Sequence, residues 1–157
     1  MSGYFGITDA IRKAFSETDR IQTITHGDLN MIDLNRQTIY PLVHVVCTGA
    51  TFNERTTDYI FSVTIMDLVD FTRDDVRDES EPFYGNDNTQ DVLHDLALTV
   101  EQALDKLRRG DLRKELIELV GNSAGTAFIN DSEEVVAGWN VVLNLSTLNA
   151  SVTDGYC

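Results

Sequence analysis

The chain is poor in cysteine, proline, tryptophan and positive charge: its 157 residues hold two Cys, two Pro, one Trp, and 12 Lys and Arg against 26 Asp and Glu. Each shortage removes a class of protein. Cys47 sits inside an apolar run and Cys157 is the last residue, too few for a disulfide scaffold. Together with an N-terminus that lacks the apolar core of a signal peptide, this predicts synthesis in a reducing cytoplasm. The scarcity of Lys and Arg argues against tight binding to a phosphate backbone, which needs clustered cations. No apolar run approaches the length that crosses a bilayer, so no membrane span is expected. No stretch rich in Gly, Ser or Pro divides the chain, and its length suits one domain, residues 1–157, with a core of its own.

What is present is a series of periodic segments. Ile7, Ala10, Ile11, Ala14 and Phe15 fall on one helical face opposite Asp9, Arg12, Lys13, Ser16 and Glu17, predicting a short N-terminal helix with Thr8 as its cap. Residues 20–25 predict a short strand closed by the turn signal His26-Gly27-Asp28, and residues 29–37 read as irregular. Residues 38–48 are apolar on both alternating faces after Pro41, which predicts a strand beginning at or just past the proline. Residues 59–68 predict another, with Tyr59, Phe61, Val63 and Ile65 on one face. The connector between them, residues 49–58, reads as too long for a tight hairpin and as a projecting β-arm. Its Phe52, beside Glu54 and Arg55, would offer a neighbour an apolar anchor in a polar rim, making these three the candidate oligomer interface.

Residues 69–88 form an acidic linker with Pro82 and Gly85 and no clean period, predicting a loop. A long helix then opens at Asn88 or Thr89, with Asp91 in its first turn and Val92, Leu93, Leu96, Val100, Ala103, Leu104 and Leu107 as its apolar stripe. Gly110-Asp111 breaks it. Leu112, Leu116, Leu119 and Val120 predict a shorter helix ended by Gly121-Asn122. Two closing strands follow, residues 124–130 and 135–148, joined by a polar turn around Asp131-Ser132. In the last strand Trp139, Val141, Leu143 and Leu145 alternate with Asn140, Asn144 and Ser146, the pattern of a sheet covered on one face, and the long helix is the obvious cover. The predicted order is α-β-β-β-α-α-β-β, an α+β two-layer sandwich with a mainly antiparallel sheet and helices on one face.

The charge is concentrated. Residues 67–95 carry ten carboxylates against Arg73 and Arg77, so this segment should face solvent or line a water-filled space. Asp70, Asp74, Asp75, Asp78, Glu79 and Glu81 are the candidate acidic surface. Their spacing is not that of a calcium loop, so no metal is expected. The histidines His26, His44 and His94 do not stand in a zinc-chelating spacing, and His44, within a strand, reads as a packed side chain. His94 with Asp91 one turn earlier is as well explained by a surface pair as by a catalytic couple, and Cys47 beside Val45 and Val46 reads as a small core residue. Ser123 and Gly125 in Gly-Asn-Ser-Ala-Gly have a helix before and a strand after, the reverse of a nucleophile elbow, and no phosphate-loop lysine follows Gly121. Catalysis and cofactors are therefore not expected.

Tyr40-Pro41-Leu42-Val43 opening one strand, the run from Phe61 to Asp70 forming the next, Val92-Leu93-His94-Asp95 at the start of the long helix and Gly138-Trp139 in the last strand resemble the small neck proteins of tailed bacteriophages. Within these the order of elements is similar to the tail-terminator, or tail-completion, type, over roughly residues 7–148. The resemblance implies a protomer that assembles into a closed ring, a hexamer or dodecamer. Such a ring ends the tail tube or joins it to the head-side connector, in a virion assembled from parts made in the host bacterial cytoplasm. Its partners would be copies of itself and adjacent neck, connector or tail-tube proteins. DNA would pass through without tight binding, an acidic lumen repelling the duplex. The acidic linker is longer and more charged than such a subunit needs, which leaves open a place at the tail end of the neck, at the head-side connector or in another virion ring. Two readings from other classes remain: an acidic binding module that mimics nucleic-acid charge, and a metal-dependent hydrolase using the carboxylates of residues 67–95.

Overall fold

The computed structural model describes residues 3–27, 40–70, 88–109, 117–130 and 135–149. The elements are α1 (Gly3–Ser16), β1 (Thr23–His26), β2 (Leu42–Phe52), β3 (Thr56–Leu68), α2 (Thr89–Arg109), β4 (Ile117–Leu119), β5 (Gly125–Asn130) and β6 (Val136–Leu148). The α+β class holds, with one exchange: the described residues run α-β-β-β-α-β-β-β. The acidic linker beyond Asp70, the turn around Asp131-Ser132 and residues 29–37 lie outside the described residues.

α1 starts one turn before the Ile7 stripe, because Tyr4 continues that stripe backward at helical spacing. Thr8 is therefore not a cap. It lies inside the helix and its Oγ1 donates to the Tyr4 carbonyl at 2.8 Å. α2 begins at Thr89, as its apolar period and Asn88 suggest, and it buries Val92, Leu96, Thr99, Val100, Ala103 and Leu107.

The sheet order is β1-β2-β3-β6-β4, with β5 also on β6; β1 and β2 are parallel and every other pair is antiparallel. β4 replaces the second half of the shorter helix expected around Leu119, while residues 110–116 lie outside the described residues. Ile117 and Leu119 turn toward the helices as a strand would turn them. Pairing with residues 145–147 of β6 satisfies backbone groups that this edge would otherwise leave to solvent. β4 and β5 together form one interrupted edge. From Leu119↔Leu145 to Gly125↔Val141, six residues of the edge span four of β6, a bulge with Gly121 at φ 67°.

The core lies between one sheet face and the two helices. Phe61, Val63, Ile65, Val141, Leu143 and Leu145 pack against Ile7, Ile11, Phe15, Leu96, Ala103 and Leu107. Full burial of each large side chain contributes about 1.5–3 kcal/mol. Trp139 belongs to the same face but is half-buried, and its Nε1 donates to the Leu93 carbonyl at 2.9 Å, fastening β6 to α2. The opposite face carries the exposed Asn140 and Asn144, plus a small cluster of Leu42, Met66 and Val136 with Tyr40 and Phe128. Gly138 is required there, since a Cβ on it would lie 1.8 Å from the Ile65 carbonyl oxygen.

Candidate interaction surfaces

The two ends of β3 and β6 differ in chemistry. At one end the strands of the expected arm simply continue, Phe52 pairing with Thr57, so that only residues 53–55 turn. The connector is thus a tight hairpin, corrected from the longer arm, because its threonines and Phe52 extend the two ladders instead of interrupting them. β6 flanks β3 as far as Thr56↔Leu148, so the tip does not stand alone. Asn149 staples it: its N–H donates to the Arg55 carbonyl at 2.8 Å, and its Nδ2 donates to the carbonyls of Asn53 and Glu54, each at 3.1 Å. Its Oδ1 accepts from the Thr57 hydroxyl at 2.7 Å. Within the turn, Asn53 N–H donates to the Thr56 carbonyl at 2.8 Å and Asn53 Nδ2 to Asp58 at 2.9 Å.

This rigid tip exposes apolar surface. Phe52 is 79% exposed, and Glu54 and Arg55 flank it in the exposed turn. Phe52 stands on the helix-covered face two residues beyond Ala50, whose cross-strand partner is Tyr59. Tyr59 leads to the start of α1: Tyr4 lies with its ring 6.0 Å from Tyr59, 5.9 Å from Phe61 and 5.9 Å from Phe5. Phe5 is 70% exposed and Tyr4 43%. An aromatic chain therefore runs from the core to the surface. The Ile7 stripe pointed back to Tyr4, but Phe5 lies off that stripe and no period marks it.

At the other end the chemistry is acidic. Asn88 N–H donates to the Asp70 carbonyl at 3.1 Å, while Asp70 N–H donates to Asn88 Oδ1 at 2.7 Å. This reciprocal pair brings the chain back at residue 88 to where it departs at residue 70. Of the candidate acidic residues, Asp70 is exposed at this root; Asp74, Asp75, Asp78, Glu79 and Glu81 lie outside the described residues. Nearby, burial raises the Asp67 carboxyl above its ordinary value. The Leu68 N–H bonded to it opposes this, and the Asp95 charge adds to it. Asp95 pairs with Arg20 at 3.3 Å, and the same guanidinium nitrogen donates to the Asp95 carbonyl at 3.0 Å, joining α2 to the chain just after α1.

The groups weighed for chemistry do not converge. His44 is buried, its Nε2 donating to the Gly27 carbonyl at 2.7 Å and its Nδ1 accepting from the Thr25 hydroxyl at 2.8 Å, so it pins β1 as a packed side chain. His26 accepts from Arg12 at 2.8 Å on the surface, and His94 and Asp91 are both exposed on α2. Cys47 is half-buried with its thiol against the Gly49 carbonyl. Ser123 lies in the bulge between two strands, not on a strand-to-helix turn, and its Oγ has no hydrogen-bond partner. Among the described residues no group of three His, Cys, Asp or Glu could hold a metal ion, and no helix is long and apolar enough to cross a membrane. No family model matches the chain, and no curated protein is significantly similar to it.

Proposed function

We propose that this protein is a structural subunit of the neck of a tailed bacteriophage, forming a tail-terminator-type ring that ends the tail tube or joins it to the head-side connector. The observation that carries the reading is exposed aromatic surface: Phe52 at the hairpin tip whose turn Asn149 staples, and Tyr4 and Phe5 at the start of α1. Apolar side chains beside a hydrogen-bonded turn suit contact with another protein, since ordering that backbone on binding costs little entropy. The charge of the whole chain suits a passage for DNA: a net −14 repels the duplex and lets it slide. Under this reading the chain performs no chemistry and takes no cofactor, and its place is the virion.

Light scattering across a concentration series tests the reading. The wild type should give a defined multiple of its 17.6 kDa, and Phe52→Asp should give a folded protein by circular dichroism that assembles less or not at all. Duplex DNA at physiological salt should show no mobility shift with either protein. A monomer at every concentration, able to displace nucleic acid from a basic protein, would point instead to an acidic binding module.

A further inference from the structure

The sheet has two edges whose strands, among the described residues, pair on one side only: β1 on β2 at one, and β4 and β5 on β6 at the other. The registers place these two edges in the same rows. Ile24 aligns through Val43, Ile65 and Trp139 with Ala127, and His26 aligns through Val45, Val63 and Val141 with Gly125. β1 is parallel to β2, and three antiparallel steps lead from β2 to β5, so the edges run in opposite directions.

Their backbone groups match as well. Val142 N–H donates to the Ala124 carbonyl at 2.9 Å, so the alternation of an antiparallel ladder turns Thr126, Phe128 and Asn130 toward β6 and leaves Gly125, Ala127 and Ile129 facing outward. On β1, Thr23 and Gly27 donate to the Pro41 and Val45 carbonyls, which leaves Ile24 and His26 facing outward, while the Gln22 N–H just before the strand also donates to Pro41 and only its carbonyl is turned out. Ile24 and Ala127 therefore lie in one row, on the helix-covered face, each with its N–H and C=O directed away from its own sheet. β5 also lacks the usual protection of an edge: it contains no charge and no proline, and Ile129 is 57% exposed.

We infer that β5 of one copy adds antiparallel to β1 of a second copy, with Ala127 opposite Ile24, Ile129 opposite Gln22 and Gly125 opposite His26, making the sheets of neighbouring protomers continuous. The second copy is the fitting occupant because row, direction, face and hydrogen-bond parity all agree without any shift along the strands. Each copy presents one edge of each kind, the head-to-tail arrangement that closes into a ring when the rotation allows. The inference rests on the ring reading above and adds a strand-to-strand contact between neighbouring copies to the one carried by the aromatic tip.

Residue-resolved hydrogen exchange on the protein as purified, assembled and diluted to dissociation, tests this directly. The amides of Ile24, Ala127 and Ile129 should exchange at least about tenfold more slowly in the assembly. Ala127→Pro removes an outward N–H without touching a bond to β6, and Ile129→Lys keeps every backbone bond of β5 while placing a charge at the contact. Each should raise the concentration needed for assembly at least about tenfold, and Ile129→Lys carries the test should the proline variant not fold. An assembly whose three amides exchange as fast as in the diluted protein, or one that Ile129→Lys leaves unchanged, overturns the edge pairing and leaves the ring reading standing. A protein that stays monomeric at every concentration overturns both.

Discussion

The hairpin tip and the root of the acidic segment lie at opposite ends of the same two strands, β3 and β6, and each is closed by an asparagine. Asn149 closes the tip with side-chain bonds to Asn53, Glu54 and Thr57, and Asn88 closes the acidic root with a reciprocal pair to Asp70. What they hold differs. The tip holds exposed aromatic surface, which favours association, whereas the root carries Asp70 with Asp67 and Asp95 nearby, the last two repelling each other, and its charge repels a polyanion. Similar backbone engineering at two ends thus yields a contact surface at one and a repelling surface at the other.

The largest expected effect breaks the acidic end. Gly138 pairs with Met66, next to Asp67, and Gly138→Ala would force the two backbones apart. It should cost about 3 kcal/mol or more, read as a lowered midpoint in urea unfolding. Asn149→Ala should cost less, about 1–2 kcal/mol, because it leaves the tip carbonyls to water but strands the buried Thr57 hydroxyl. Amides of the tip should then exchange faster while those around Asp70 and Asn88 do not change, and a uniform change at both ends would show that the staple is not local.

The smallest effect sharpens the electrostatic half of the contrast. Asp67 holds its proton in the folded state to a pH above its ordinary 3.8, so the stability this provides is complete below 3.8 and is lost as the pH rises through the folded value. Asp67→Asn keeps an oxygen to accept the Leu68 N–H and removes the charge facing Asp95. It should therefore stabilise the protein at neutral pH by less than about 1 kcal/mol and flatten the fall in stability as the pH rises above 3.8. Unfolding midpoints of both proteins across that range decide the matter; a parallel pair of curves would mean that Asp67 carries no such strain.

Most of the fold was legible wherever one periodicity dominated. The stripe from Val92 to Leu107 and the alternation from Trp139 to Leu145 specified α2, β6 and the face they share. Legibility failed where tertiary pairing decided the local state. Leu119 fits a helical stripe with Leu116 and Val120 as well as it fits a strand with Ile117, and pairing with β6 selected the strand. It failed again at residues 49–58, where apparent loop length concealed two ladders that continue to Phe52 and Thr56. Of the candidate surface, Phe52, Glu54 and Arg55 were readable as an anchor and its rim, but Phe5 and the Asn149 staple depend on residues distant in sequence, which no local pattern records.

The central claim, that copies of this chain close into a ring with a passage for DNA, is tested most directly by electron microscopy of the purified protein at high concentration. The account predicts closed particles of one fixed copy number with a central opening wide enough for a duplex. Single 17.6 kDa particles, or open filaments without closure, at every concentration would contradict it.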